Sequence, residues 1–384
     1  MIYIFLIFCF LLLSFYSEFS LKNKFTCAYS ISLFEKEFLF MLLFFCFYLC
    51  GFRYKTGADW SNYMQLFDEC LLSKKSNVES GFMLLNKVVK SLYGNFWTLQ
   101  ILISIFCCAA IYSSISKNVL IPAVSFLFYF MNHFFNGEMA QTRQLIAMSI
   151  LILGTRNLQK LSIWKWFIFV IIACQFHITA LFAFPLYFTN KKVIKTRTAF
   201  ILLFGYFFIN FFSLNFINGV FKLLSLPIFS FLPQRLLQLV YVYTHLTEYG
   251  KQADYSSGIG FLVTAVIIIF LIILYHNSDY ETKKKSCFLN FFLILFFNGL
   301  GRNFDQFVRF GYYYSICGFG ISAYGLFFKK NSFYKKFEWI QPVANFLIIS
   351  FFILSFFKVY YLPNNGKILI KSYLPWKNFF LEAF

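Results

Sequence analysis

The chain has 384 residues, of which 60% are hydrophobic and 13% charged, about half the charged fraction of a water-solvated domain. Phenylalanine alone contributes 61 residues, more than one soluble core could hide, so lipid is the expected solvent for most of the chain. The formal net charge of +19 would point to nucleic acid in a soluble protein, but here the basic residues sit between apolar blocks, where they set topology at a membrane surface, and no nucleic-acid partner is expected.

Apolar blocks fall at about 1–17, 37–52, 96–112, 119–135, 143–155, 163–174, 175–189, 198–221, 258–275, 286–301, 309–328 and 339–361. At roughly 20 residues per span they predict a single all-α integral-membrane domain with about twelve transmembrane helices, in a range of about 10–14. The first block, MIYIFLIFCFLLLSFYS, has no basic leader and is followed by Glu18, so it reads as a retained span and not a cleaved signal. Loops at 18–36, 113–118, 156–165, 190–197, 276–286 and 329–338 hold 18 Lys and Arg, against 9 in the alternate set once the long segment 53–95 is set aside. The positive-inside rule puts the first set in the cytoplasm and both termini outside. Segments 53–95 and 222–257 become extracytoplasmic loops, and 362–384 an extracytoplasmic tail. The run 163–189 is too long for one ordinary helix, and basic loops flank it on both sides. A hairpin keeps both loops in the cytoplasm and places Gln175, Phe176 and His177 at an outward tip facing a wet cavity. The ten cysteines show no C-x-x-C pair, which argues for buried thiols and against a zinc site or a disulfide framework.

Lysine and arginine are distributed differently. Of 27 Lys and 7 Arg, Lys is mostly cytoplasmic, whereas Arg53, Arg143, Arg235, Arg302 and Arg309 lie outside, leaving Arg156 and Arg197 inside. Topology needs only positive charge, while a planar fork of donors suits bidentate binding of phosphate or carboxylate. Outward arginines therefore mark an anion site. In chain order, RYKTGADWSNYMQLF combines Arg53, Asp59, Trp60, Asn62 and Tyr63, a mixture of acid, amide and aromatic groups that suits sugars and also makes an ordinary interfacial loop. ESGFMLLNKVV follows, with Glu79 ahead of an amphipathic helix carrying Phe82, Leu85, Val88 and Val89 on the outer surface. NGEMAQTRQLIAMSILIL runs from a polar turn into a short span and leaves Arg143 and Gln144 in its first turn, where free N–H groups favour an anion. His177 is centred in an apolar stretch, either as a packing residue or as an ionisable group that marks function. Arg302, Asp305 and Arg309 share one helical face, with Asp305 able to hold a guanidinium in place.

No P-loop, G-x-G-x-x-G, H-E-x-x-H or D-x-D motif is present; the last absence speaks against a metal-chelated nucleotide-sugar donor, and neither metal nor cofactor is expected. The order RYKTGADWSNYMQLF, ESGFMLLNKVV, FFNGEMAQTRQLIAMSILIL, FHITALFAFPLYF, YSSGIGFL, RNFDQFVRFGYYY and SYLPWKNF resembles the EpsG family of bacterial exopolysaccharide proteins, itself similar to the Wzy polymerases of O-antigens and capsules. One departure is GEMAQTRQ, where the family more often shows a plain Asn-Gly-Ile/Val-Arg-Gln; Arg143 and Gln144 are kept.

The resemblance implies a bacterial inner-membrane glycosyltransferase of GT-C type that joins oligosaccharide repeat units carried on a polyprenyl diphosphate at the outer face. It also implies a flippase and a chain-length regulator as partners. In the chemistry expected of it, a sugar hydroxyl attacks the anomeric carbon while the lipid diphosphate leaves. Arg143, Gln144, Arg302, Arg309 and Arg53 would bind the diphosphate, His177, Asp59 or Glu79 would serve as base with His177 foremost, and Trp60, Asn62 and Tyr63 would hold sugar. A lipid-linked oligosaccharide flippase is the alternative, although cations gather on one side here and do not line a path; a membrane O-acyltransferase would use a buried His but gives outward arginines no task.

Overall fold

The computed structural model describes residues 28–57, 59–72, 78–134, 141–155, 161–190, 192–224, 226, 259–301, 305–329, 332–337 and 339–361. The first apolar block, Arg156, Arg235, Arg302, nearly all of 222–257 and the tail 362–384 lie outside the described residues. Among those described the fold is all-α, with no strand.

Helix α1 (Ala28–Gly51) packs along α4 (Phe96–Asn118), and between them come two short helices, α2 (Trp60–Glu69) and α3 (Ser80–Ser91). The start of α4 follows from Asn95, whose side chain accepts the Thr98 N–H at 2.9 Å and so satisfies one of the free donors of the first turn. Pro122 opens α5 (Pro122–Tyr129), where a missing N–H costs nothing, and α5 runs into a π segment, Phe130–Phe134. Then come α6 (Thr142–Thr155) and α7 (Ile163–Cys174), packed on one another.

The chain reverses after α7. The N–H groups of Gln175 and Phe176 bond back three residues, to Ile172 and Ala173, tightening the last turn, and a 3₁₀ segment (Ile178–Ala183) and α8 (Leu186–Thr189) return alongside. The Trp166 indole donates to the Phe184 carbonyl at 3.0 Å; these two residues are equidistant in sequence from Gln175, as two antiparallel arms require. The run 163–189 is thus a hairpin with its tip at Gln175–His177.

Helix α9 (Thr196–Leu224) packs on α12 (Phe288–Gly301) and α10 (Ile259–His276), and α11 (Tyr280–Lys285) is a short turn of helix capped by Asp279. The block expected as one span at 309–328 is broken. It starts as α13 (Asp305–Tyr312), continues as a π segment (Tyr313–Cys317) and, after Phe319 takes a left-handed conformation at φ 53°, ends as a 3₁₀ segment (Gly320–Phe327). Gly301 lets α13 fold back on α12, since a β-carbon there would overlap Val308. The described chain closes with α14 (Ser332–Lys336) and α15 (Ile340–Tyr361).

The bundle has two distinct ends. At one, side chains tie loop to loop: Ser322 Oγ accepts the Leu120 N–H at 2.9 Å and donates to the Lys285 carbonyl at 2.8 Å, and Tyr275 donates to the Ile194 carbonyl at 2.9 Å. Lys283, Lys284, Lys285 and Lys329 gather there. The other end carries α2, α3, the head of α6 and the hairpin tip. Between the ends, large apolar side chains face outward, among them Phe204 at 73% exposure, Trp164 at 74% and Phe346 at 66%. A belt of this kind is stable only against lipid. The helices Phe96–Ser116 and Ile340–Lys358 are long and apolar enough to cross a bilayer, and others such as Thr142–Thr155 and Ile163–Cys174 are apolar but shorter.

Candidate functional site

The site is assembled at the end opposite the lysine-rich loops. Gln100 on α4 donates through Nε2 to the carbonyls of Gly51 at 2.9 Å and Arg53 at 3.1 Å, and its Oε1 accepts from the Trp60 indole at 3.0 Å. These bonds pin the start of the loop to the head of α4. They leave the Arg53 side chain directed inward, where it is buried and reaches Thr142 Oγ1 at 3.4 Å.

Thr142 opens α6, and the next residue, Arg143, is the hub. Its Nη1 meets Glu79 Oε2 at 2.5 Å, with the two side chains 28% and 19% exposed. Glu79 occupies the position before α3 but does not cap it; instead its second oxygen accepts the Ile178 N–H of the hairpin at 3.5 Å. Tyr63 on α2 is buried beside Arg143, whose positive charge acts on its hydroxyl. Burial pushes the Tyr63 phenol above its ordinary pKa, so it stays protonated.

The hairpin tip docks on α3. Ser80 Oγ donates to Gln175 Oε1 at 2.6 Å, and the Gly81 N–H donates to the Gln175 carbonyl at 2.8 Å. A β-carbon on Gly81 would stand 2.7 Å from that oxygen. Gly81→Ala is expected to cost about 1–3 kcal/mol, seen as a lower thermal midpoint of the solubilised protein and faster proteolysis in the segment 53–95. An unchanged midpoint would mean that α3 and the tip do not touch.

His177 closes the tip, half-buried, with Nδ1 at 2.6 Å from Thr179 Oγ1, which is 2.9 Å from the Tyr313 hydroxyl. Burial holds the imidazole below its ordinary pKa; the Glu79 carboxylate opposes this, and the charges of Arg143 and Arg309 reinforce it. The ring is therefore neutral near pH 7. Gln144 donates to the Arg309 carbonyl at 2.8 Å. Among the described residues no carboxylate stands within ion-pair distance of the Arg309 guanidinium.

Arg53, Glu79, Arg143, Gln144, His177 and Arg309, with Tyr63, thus come together from stretches far apart in sequence. Asp59 precedes α2 without capping it, one turn from Tyr63, which feels its charge. Three residues differ from expectation. Trp60 is 2% exposed, packed against Tyr54, Phe96 and Trp97 with its N–H committed to Gln100, so it offers no face to a sugar and instead holds the loop. Gln144 is 1% exposed and braces the Arg309 carbonyl, with no open path to a diphosphate. Tyr63 is buried against Arg143 and serves that residue first. Asn62 is exposed on α2; Arg302 lies outside the described residues, as does the Asp305 side chain. Thr179 and Tyr313, which sequence reasoning passed over, complete the constellation; hydroxyls are too common in apolar stretches to draw notice.

Among the described residues the arrangement brings Arg53, Arg143 and Arg309 to the same end as Glu79, which is paired with Arg143, and Asp59, around a neutral imidazole. Such a site suits a multiply charged anion whose charge grows during reaction. A family model described as the EpsG family matches residues 36–378 of the chain. No curated protein and no solved structure matches it.

Proposed function

The chain belongs to the EpsG family, membrane proteins of exopolysaccharide synthesis, and on that footing we propose that it is a glycosyltransferase joining oligosaccharide repeat units carried on a polyprenyl diphosphate. It works at the outer face of a bacterial cytoplasmic membrane, building an O-antigen, capsule or exopolysaccharide, in company with a flippase that supplies the lipid-linked unit and a regulator of chain length. The observation that supports this most is the gathering of Arg53, Arg143, Arg309 and His177 at the end of the bundle opposite the lysine-rich loops.

Reading the helices as spans gives eleven crossings among the described residues, from α1 to α15, and the block 1–17 makes twelve with both termini outside. Helices α6 and α7, of 14 and 12 residues, reach about 21 and 18 Å, less than the roughly 30 Å hydrocarbon core. Their shortness sinks Arg143 and His177 toward the depth at which a lipid's diphosphate sits. Orientation is testable by cysteine labelling: Tyr93→Cys, at a fully exposed loop position, is expected to react with a membrane-impermeant maleimide in spheroplasts, and Lys284→Cys only after the membrane is opened. The reverse pattern would place the site in the cytoplasm and remove the reading.

In the reaction the acceptor hydroxyl attacks the anomeric carbon of the donor, and the bond to the diphosphate breaks. Negative charge accumulates on the departing oxygen, where fixed guanidinium groups in a partly dry recess stabilise it without rearranging. Arg309 is the foremost of them because its charge is not already matched by a described carboxylate; Arg53 and Arg143 add to the field. His177 has two available tasks, taking the acceptor proton or donating to the leaving group. Supplying purified protein in vesicles with lipid-diphosphate repeat units should yield a ladder of longer glycans, and absence of a ladder from folded, membrane-inserted protein would refute the proposal.

A further inference from the structure

We infer that His177 presents a fixed Nε2–H to the site, so that it donates a hydrogen bond to the departing diphosphate and is not the base that deprotonates the acceptor. The assignment rests on the glycosyl-transfer reading above, but the position of the proton follows from the hydrogen bonds around a half-buried neutral imidazole.

That position is set at the far end of a chain of hydrogen bonds. Gln144 Nε2 donates to the Arg309 carbonyl at 2.8 Å; a carbonyl only accepts, which fixes which way the amide points. Gln144 Oε1 is buried and meets no donor, so the Tyr313 hydroxyl does not give its hydrogen there. The phenol, at 0% exposure, must direct its hydrogen elsewhere. Thr179 Oγ1, 2.9 Å away, accepts it. Thr179 Oγ1 stands 2.6 Å from Nδ1 of His177, and its own hydrogen, not used toward Tyr313, is the one to give to that nitrogen. With Nδ1 accepting, a neutral imidazole carries its hydrogen on Nε2. In the opposite polarity Tyr313 would receive from Thr179 and point its hydrogen at no acceptor among the described residues, at 0% exposure, which costs about 1–3 kcal/mol. Tyr313 opens the π segment of its helix, an irregularity frequent at functional sites. Tyr313 and Thr179 are positioning residues for His177.

A donor at Nε2 leaves the acceptor proton to another group. The Glu79 carboxylate is held by Arg143 and the Ile178 N–H, so the base is Asp59, whose carboxylate makes no capping bond. The acceptor oxygen bonds to the anomeric carbon and its proton passes to Asp59. The bond from that carbon to the bridging oxygen breaks with both electrons on the oxygen, and His177 keeps its proton throughout.

Glutamine retains a donor near the Nε2 position but has no basic nitrogen, asparagine places one near Nδ1, and alanine has neither. His177→Gln is expected to stay within about tenfold of wild type in ladder formation, with His177→Asn and His177→Ala down by about 10²–10³-fold. Activity in His177→Gln as low as in His177→Ala, with both folded, would overturn the inference. Nitrogen-15 spectra of histidine-labelled protein in nanodiscs, assigned by the resonance lost in His177→Gln, give a readout independent of activity. Hydrogen on Nε2 is expected, with the preference weakened in Tyr313→Phe; hydrogen on Nδ1 would overturn the inference whatever the activity. If wild type makes no glycan, the transfer reading fails, while the spectrum still decides where the proton sits.

Discussion

Arg309→Ala is expected to slow glycan extension by about 10²–10³-fold, the loss of one preorganised donor aimed at developing charge, in a protein that remains folded. The substitution leaves the backbone carbonyl that Gln144 grips, and it strands no described carboxylate, so the fold has little reason to respond. The effect should fall on the chemical step more than on donor binding, because the charge that Arg309 meets is largest once the diphosphate is leaving. Arg309→Lys keeps the charge but loses the planar fork and should fall between the two. Initial rates of ladder formation, alongside thermal midpoints, check this; a rate unchanged in Arg309→Ala would remove Arg309 from the site.

Arg143 and Glu79 are expected to behave as a unit. Removing the arginine leaves the Glu79 carboxylate, 19% exposed, with a single long backbone bond at 3.5 Å, and removing the carboxylate leaves the Arg143 guanidinium, 28% exposed, without its ion-pair partner. Each single alanine substitution should therefore loosen α3 from the bundle, and the double substitution should be less harmful than their sum. A double-mutant cycle on thermal stability is expected to give a coupling of about 0.5–3 kcal/mol. Extension should separate the two functions: Glu79→Ala keeps all three arginines and retains measurable activity, while Arg143→Ala falls by about 10²-fold or more. Strict additivity would mean that the pair does not join loop and bundle.

Much of this architecture was legible because membranes enforce simple rules. The reversal at Gln175–His177 follows from basic loops flanking an overlong apolar run, and the structure closes it with the Trp166–Phe184 bond. The arginines set apart from the lysine-rich loops and His177 stood out because lipid makes ionisable groups costly; of these, the described Arg53, Arg143, Arg309 and His177 lie at one end of the bundle. Trp60 was misleading for a physical reason: at a membrane surface the same aromatic builds a loop's interior or a ligand platform, and only burial tells them apart. The break of the block 309–328 into π and 3₁₀ segments leaves no mark in hydropathy, which records apolarity and not hydrogen-bond register. Pairings such as Glu79 with Arg143, or Thr179 with Tyr313, join residues far apart in sequence, which no local pattern encodes.

The central claim is that a cluster of guanidinium groups neutralises a diphosphate as it departs. The most direct test reconstitutes the protein in vesicles with lipid-diphosphate repeat units, adds no nucleotide, and counts free polyprenyl diphosphate against glycosidic bonds formed. One lipid diphosphate released per bond, with release and extension falling together in Arg309→Ala, is the predicted result. Lipid-linked units that cross the bilayer intact, with no diphosphate released and no glycan lengthened, would contradict it.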